Sequence, residues 1–182
     1  CSRIVWNQRW DFDKRPDVML EVLGQLAADG CDFEVVLLGE NLQRDELRAE
    51  AQTRLGPRVV HAGYCEGRRD YWHWLGSANV TFSVAVHEYY GLSMLEAIGS
   101  GCTPLLPRGL SYPELYDEFV SAECFYRDES ELLAKLKALL SGSLVLEVDY
   151  QAVRKRYSWD RLRSVWDQAF LSAASIWSGN AY

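Results

Sequence analysis

The chain has 182 residues, of which 48% are hydrophobic and 25% are charged. This composition is typical of a globular domain with a sizeable core and excludes a disordered segment. The formal net charge of -7 argues against a broad basic surface that binds nucleic acid by its phosphates, so any anion site has to be local. No apolar stretch reaches the roughly 20 residues that a membrane-spanning helix needs.

The five cysteines are scattered, and none belongs to a Cys-x-x-Cys pair. An odd, dispersed set indicates reduced thiols in a cytoplasmic protein and disfavours a disulfide framework or a zinc site. The chain begins at Cys1 inside a predicted strand, without a methionine. We therefore expect a cytoplasmic protein of which this chain is a piece.

Strand and helix signals alternate along the chain. A strand covers SRIVW at 2–6, and the next helix starts at Pro16, a residue favoured in a first helical turn. In chain order there follow a strand at 33–38, a helix at 44–55, a strand at 58–63, a helix at 68–76, a strand at 79–84, a helix at 91–99, a strand at 103–107, a helix near 112–119, a strand at 122–126, a helix at 129–140 and a long final helix capped by Ser158.

Because the strands are near-continuous apolar runs separated by helices, the pattern predicts a Rossmann-like, doubly wound α/β domain. Its mostly parallel sheet has about six strands and is covered by helices on both faces. In such sheets ligands bind outside the carboxyl ends of the strands, so the loops after the strands are the segments to examine.

The first strand ends in NQRWDFDKRPD, which places two cations, Arg9 and Lys14, on one short loop. A guanidinium fork and an ammonium point charge together suit a phosphate group. Taken alone, two such cations are more often solvated surface charges. Asp11 and Asp13 on the same loop have the Asp-x-Asp spacing of some metal-dependent transferases, but the cations compete for their carboxylates. We interpret the two aspartates as turn and capping residues.

The fourth strand is followed by HEYYGLSMLEA at 87–97, in which Glu88 and Glu96 lie eight positions apart. Glu88 precedes the predicted helix and is placed to accept hydrogen bonds from ligand hydroxyls. Glu96 lies further along the helix, within reach of a second part of an extended ligand. Each glutamate by itself also fits an ordinary helix charge, Glu88 near the positive end of the helix dipole and Glu96 on an exposed face.

The helix start between the two glutamates predicts an anion site. The amides of Gly91, Leu92 and Ser93 would point at an incoming anion, and Gly91 leaves room for a ligand to approach the backbone. The apolar residues of this helix are expected to supply its buried side: Leu92, Met94, Leu95 and Ile98. The aromatic residues of DYWHWL at 70–75 are interpreted as packing residues, and the three histidines do not pair at metal-ligand spacing.

Arg9-x4-Lys14 and Glu88-x7-Glu96 together resemble the C-terminal, donor-binding half of a GT-B glycosyltransferase of the retaining family 4 group. In that family the arginine and the lysine bind the diphosphate, and the paired glutamates contact the donor sugar nucleotide. The resemblance covers nearly the whole chain. It implies a site without a metal or other cofactor, with Arg9, Lys14 and Glu88 as catalytic residues and Gly39, Tyr64, Gly91, Leu92, Ser93 and Glu96 as donor-binding residues.

Within the family, NQRWDFDK, HEYYGLSMLEA and GCTPLLPRGLSYPEL are most similar to members that transfer mannose from GDP-mannose to a queuosine-modified tRNA. This similarity implies GDP-mannose as the donor and tRNA as the acceptor partner. By the same resemblance Glu88 orients the sugar, Glu96 holds the ribose and the backbone near Tyr64 meets the base. Ser83 departs from the family pattern, which more often has serine and proline close before the first glutamate.

The resemblance also predicts the domain organisation. Residues 1–182 form the nucleotide-sugar domain, and the final helix, at 158–177, crosses toward an N-terminal acceptor domain that this sequence does not contain. The face of that helix with Trp166, Phe170 and Trp177 would then lack its partner. Such a chain is expected to bind the donor and to transfer little or nothing unaided.

Several other functions can be compared with the same sequence. A dinucleotide-dependent oxidoreductase predicts a glycine-rich turn after the first strand, but NQRWDFDK contains no glycine. A nucleotide-sugar binding module without activity, or a transferase that uses a UDP-sugar and another acceptor, is compatible with the same residues. A GT-B epimerase or phosphorylase needs a further catalytic acid or a cofactor lysine, for which the sequence offers no clear candidate.

Overall fold

The computed structural model describes the backbone of residues 1–39 and 45–179 and the side chains of residues 1–39 and 46–173. This part of the chain contains six strands and eight α-helices. They are β1 (Ser2–Trp6), α1 (Pro16–Ala28), β2 (Phe33–Leu37), α2 (Asp45–Leu55), β3 (Val59–Ala62), α3 (Arg68–Gly76), β4 (Val80–Phe82), α4 (Leu92–Gly99), β5 (Thr103–Pro107), α5 (Tyr112–Tyr116), β6 (Phe125–Tyr126), α6 (Glu129–Leu140), α7 (Tyr150–Arg156) and α8 (Trp159–Gly179).

The six strands are parallel and lie in the order β3-β2-β1-β4-β5-β6. β1 is central, with Trp6 opposite Leu37 of β2 and Val5 opposite Thr81 of β4. The sheet grows in opposite directions from β1, so the loops after β1 and β4 diverge and leave a crevice at the carboxyl edge. The predicted doubly wound α/β sheet is confirmed.

Both faces of the sheet are buried, which explains the continuous apolar strands. Successive side chains of a strand point to opposite faces. Ile4 and Trp6 of β1 therefore belong to the larger core, with Met19 and Leu23 of α1. Val5 belongs to a smaller core on the other face, together with Leu75 of α3 and Ala97 of α4.

The structure differs from the prediction mainly in the second half of the chain. α5 ends at Tyr116, and the segment predicted as a strand at 122–126 begins with a 3-10 turn, so that β6 has only two residues. The sequence reading also missed α7. This helix has seven residues and a single fully buried side chain, Val153, so it shows little periodicity. Its one clear signal is Asp149, whose carboxylate accepts a hydrogen bond from the Ala152 amide at 2.8 Å.

None of the described helices is both long and apolar enough to cross a membrane. The longest is α8, whose described side chains are exposed except that of Leu162, which is partly buried. Trp166 and Phe170 stack on each other at 5.8 Å between ring centroids, and both remain largely exposed. Trp177 lies outside the described side chains.

Gly39 follows β2 and fits its position only because it has no side chain. Its φ is +111°, and an added Cβ would lie 2.1 Å from the carbonyl oxygen of Gln8 in the loop after β1. The segments that follow β1 and β2 are therefore in direct contact at the carboxyl edge of the sheet, and this contact fixes the position of Gly39 there.

We expect Gly39→Ala to lower the free energy of unfolding by at least about 2 kcal/mol more than Gly101→Ala. Gly101 has nearly the same φ, +108°, but an added Cβ there meets nothing within 4 Å. The difference between the two variants therefore reports the collision with Gln8 alone. Denaturant unfolding of the two variants measures it, and equal losses would contradict the close contact.

Candidate donor-binding site

An open cleft of about 410 Å³ lies at the carboxyl edge of the sheet. Four of the residues singled out in the sequence line it: Arg9, Gly39, Tyr64 and Glu96. Its other lining residues are Asn7, Cys65, Glu66, Arg68, Tyr71 and Trp72. Loops after β1, β2 and β3 and the helix α4 thus meet around one space, as predicted from the strand ends.

Of the two cations predicted on the loop after β1, Arg9 is the one that lines this cleft. Its side chain is 55% exposed, with one guanidinium nitrogen 2.9 Å from Asp11 Oδ2 and another 3.9 Å from Asp13 Oδ2. Exposed ion pairs contribute little stability. Arg9 can therefore exchange these carboxylates for a phosphate at small cost.

Lys14 lies beside the cleft, in a buried position. Its side chain is only 9% exposed, and Nζ lies 3.0 Å from Glu88 Oε2 and 3.1 Å from Asp13 Oδ2. Nζ also donates to the carbonyl oxygen of His87 at 2.7 Å. A buried ammonium requires such partners. The structure thus separates the two predicted cations: Arg9 faces the cleft, whereas Lys14 joins the loop after β1 to the turn before α4.

Glu88 is held on both of its oxygens. Oε2 accepts from Lys14, and Oε1 accepts from the amides of Tyr89, Tyr90 and Gly91 at 3.1, 3.3 and 2.9 Å. Burial, the largest influence, raises the pKa of this carboxyl group. The hydrogen bonds from Gly91, Lys14 and Tyr90 together outweigh burial, so the pKa of Glu88 lies below its ordinary value.

Gly91 makes the sharp turn into α4. It adopts the left-handed conformation, with φ +60°, and an added Cβ would lie 3.3 Å from the ring of Tyr112. The prediction that the Gly91 amide faces an incoming anion is wrong for this conformation, because Glu88 accepts its hydrogen bond. The following amides, those of Leu92 and Ser93, precede the first intrahelical bond, which Leu95 donates to Gly91.

The side chain of Leu92 is another correction. The sequence reading placed it on the buried side of the helix, but it is 60% exposed because it starts the first turn of α4. Met94 and Ile98 are fully buried as predicted.

Glu96 lies in the cleft and is tied to the end of β1. Its Oε2 accepts a hydrogen bond from the Tyr71 hydroxyl at 2.6 Å, and that hydroxyl accepts from Asn7 Nδ2 at 3.0 Å. Asn7 Nδ2 also donates to the carbonyl oxygen of Ser93 at 2.8 Å. This arrangement presents an oriented carboxylate in a cleft that is also lined by two cations, Arg9 and Arg68.

The family known as Glycosyl transferases group 1 matches residues 4–155 of this sequence. The chain belongs to this glycosyltransferase family. Among its relatives, a tRNA-queuosine alpha-mannosyltransferase of Drosophila melanogaster is 36% identical over 162 residues, which are 88% of this chain and 42% of the relative. A GDP-mannose-dependent alpha-(1-6)-phosphatidylinositol dimannoside mannosyltransferase of Mycobacterium tuberculosis is 27% identical over 59% of this chain and 27% of its own length.

Solved structures show the same fold. The catalytic domain of a cholesterol-alpha-glucosyltransferase from Helicobacter pylori matches with a TM-score of 0.59 and 15% identity, over 90% of this chain and 98% of that one. The C-terminal domain of the group 1 glycosyltransferase LpcC from Francisella tularensis matches with a TM-score of 0.63 and 18% identity, over 78% and 76%. The chain therefore has the Rossmann-like fold that is found in GT-B glycosyltransferase structures.

Asp11 and Asp13 are turn residues as predicted, since Asp11 is at the N-cap position of a 3-10 turn and Asp13 lies within it, but the predicted capping is wrong. Neither side chain caps the 3-10 turn at Phe12–Lys14, because both carboxylates are engaged by the neighbouring cations. Over the described ranges, no three side chains of histidine, cysteine, aspartate or glutamate cluster as a metal site.

Two further residues of the candidate site, Asn7 and Tyr71, were not predicted from the sequence. Tyr71 was assigned to packing as one of several aromatic residues in its helix. The position of Asn7 directly after β1 was a usable signal, because that strand end leads into the cleft. The contact between Tyr71 and Glu96 joins residues 25 positions apart and has no sequence signature.

Ser83, the departure from the family pattern, is a buried structural residue. Its hydroxyl lies 2.7 Å from the Tyr112 hydroxyl and accepts from the Ala85 amide at 3.2 Å. The serine therefore fixes the end of β4 from behind the site.

We expect the stabilising effect of Glu88 to depend on pH. Its pKa is lowered in the folded chain, so its contribution is complete above the ordinary glutamate pKa of about 4.3 and is lost as the pH falls through the lower folded value. Glu88→Gln should lower the free energy of unfolding by about 2 kcal/mol at neutral pH. The difference from the wild type should shrink below about pH 4.

Denaturant unfolding of the wild type and the variant across this pH range measures the effect. Glu21→Gln, a substitution at an exposed position of α1, serves as the control for general acid destabilisation. A difference for Glu88→Gln that stays constant with pH would contradict the role given to the carboxylate charge.

Proposed function

We propose that this chain is the donor-binding domain of a retaining mannosyltransferase that uses GDP-mannose and transfers mannose to a queuosine-modified tRNA. One observation carries the proposal: an accessible cation, Arg9, and an oriented carboxylate, Glu96, line the same cleft. A diphosphate linked to a ribose offers a partner to each of these two groups. The names of the Drosophila and mycobacterial relatives support mannose, GDP and tRNA.

Positive charge at the start of α4 would stabilise the departing diphosphate. Arg9 would bind its oxygens, and the amides of Leu92 and Ser93 would add hydrogen bonds at the positive end of the helix. Lys14 would contribute charge from behind the turn, where it holds Glu88 and His87. We propose that these groups suffice without a metal ion, because they already supply cationic partners for the leaving group.

The remaining residues would hold the rest of the donor. Glu88 would orient the hydroxyls of the sugar, and Glu96 would accept hydrogen bonds from the ribose hydroxyls. Gly39 would let the backbone approach the nucleotide, and the backbone near Tyr64 would meet the base. Both Gly39 and Tyr64 line the cleft with Glu96, which supports this division.

Transfer would require more protein than this chain contains. The chain spans 42% of the length of the Drosophila relative. We propose that residues 1–182 bind the donor and that a further domain, contacted by α8, binds the tRNA. Action on tRNA, together with five cysteines that are all free, supports a cytoplasmic location.

Binding of a panel of sugar nucleotides to the chain tests the donor. GDP-mannose is expected to raise the melting temperature more than UDP-glucose, UDP-GlcNAc or ADP-glucose, because at equal concentration the ligand that binds more tightly stabilises the folded state more. Calorimetry with GDP and UDP, which carry no sugar to be transferred, measures the preference for the base separately from the preference for the sugar. A preference for UDP-sugars would reject GDP-mannose and leave the family unchanged.

Arg9→Ala should weaken the binding of GDP by about tenfold or more, because a charge-assisted hydrogen bond to phosphate contributes about 1.5–3 kcal/mol. Arg54→Ala is the matched control. Arg54 also lies in a partly exposed ion pair, with Glu50, but in the last turn of α2, away from the carboxyl edge. Calorimetry on both variants measures the effect, and an unchanged affinity for Arg9→Ala would refute the assignment.

A further inference from the structure

Two hydrogen bonds in series lead from Asn7, at the end of β1, through Tyr71 to Glu96, and a third holds Asn7 to α4. Asn7 is buried, and its Nδ2 bonds both the Ser93 carbonyl oxygen and the Tyr71 hydroxyl. The Tyr71 hydroxyl in turn bonds Glu96 Oε2 at 2.6 Å. The chain of bonds connects β1, α3 and α4 across the floor of the cleft.

The direction of every proton in this chain is fixed by chemistry. A backbone carbonyl only accepts, so the amide nitrogen of Asn7, and not its oxygen, has to face Ser93. The same nitrogen gives its second proton to the Tyr71 oxygen. Tyr71 therefore has its own proton left for Glu96, whose ionised carboxylate only accepts.

The hydrogen bond from Tyr71 also determines which oxygen of Glu96 can accept from a ligand. With Oε2 occupied by a fixed donor, the carboxylate has one orientation, and Oε1 is the oxygen left to accept from a ligand. Tyr71, Asn7 and Glu96 all line the cleft. Burial of Tyr71, followed by its hydrogen bond to Glu96, raises the pKa of the phenol above its ordinary value, so the hydroxyl stays a donor at physiological pH.

We infer that Tyr71 is a positioning residue, which, held by Asn7, orients Glu96 to accept hydrogen bonds from the vicinal hydroxyls of the donor's ribose. The inference rests on the proposed function, in which Glu96 holds the ribose. Through its contact with Glu96, Tyr71 would then account for the discrimination between ribose and deoxyribose. Preorganisation of the carboxylate reduces the entropy lost when a ligand binds.

Calorimetry with GDP and 2′-deoxy-GDP tests the inference. The wild-type chain is expected to bind GDP about tenfold more tightly, since one hydroxyl bonded to a carboxylate is lost in the deoxy compound. Tyr71→Phe removes a single oxygen and keeps the ring. It should reduce this preference to about twofold, because GDP, with two hydroxyls on Glu96, loses more affinity than 2′-deoxy-GDP, which has one.

Two controls isolate the effect. Tyr150→Phe removes another partly buried hydroxyl, which lies 3.1 Å from Thr103 Oγ1, and should leave the preference at its wild-type value. In a Glu96→Gln background, Tyr71→Phe should change the preference by less than about twofold, because the two residues act through one contact.

The outcomes separate the inference from the proposed function. A wild-type chain without a preference for GDP over 2′-deoxy-GDP overturns the assignment of Glu96 to the ribose, and with it this inference. A wild-type preference that Glu96→Gln abolishes but Tyr71→Phe retains overturns the role of Tyr71 alone. Loss of preference in Tyr150→Phe as well would show that general loosening of the fold causes the change.

Discussion

The buried contact between Lys14 and Glu88 connects the two loops on which the site depends. Lys14 belongs to the loop after β1 and Glu88 to the turn before α4, and these loops diverge at the switch point of the sheet. A backbone hydrogen bond from Val86 to Asp13, 2.9 Å long, joins them a second time. Taking two charges out of water costs free energy, so such a pair is a poor source of stability by itself. Its effect is to fix where α4 begins relative to β1.

Buried tyrosines hold the same turn from the opposite side. The Tyr112 hydroxyl bonds Ser83, and the Tyr116 hydroxyl donates to the Gly91 carbonyl oxygen at 3.1 Å. Burial raises the pKa of both phenols, so they remain neutral hydrogen-bonding groups at physiological pH. Gly91 is enclosed between Glu88 and these rings, which explains why a side chain has no room there. The start of α4 is thus set by charge on one side and by aromatic packing on the other.

Sequence patterns predict this fold well because the strands are buried on both faces. The apolar runs of the strands and the helical spacing after Pro16 can be recognised without knowing which residues they contact in the fold. The short elements are harder, since β6 and α7 bury too few side chains to show a period. The site residues at strand ends were predictable as a set, because parallel strands bring their carboxyl ends to one edge. Their pairing was not: that Lys14 is buried while Arg9 is exposed depends on contacts with residues more than 70 positions away.

The carboxylate and the cation that line the cleft differ in how far they are prepared for a ligand. Glu96 is already oriented by Tyr71, whereas Arg9 is exposed and paired with Asp11. A diphosphate would have to displace that aspartate against several local carboxylates and a net charge of -7. General electrostatic attraction is therefore a weak source of affinity for this glycosyltransferase. Recognition has to come from short, directed bonds, which favours a ligand that offers both a phosphate and hydroxyls at the correct separation over a simple anion.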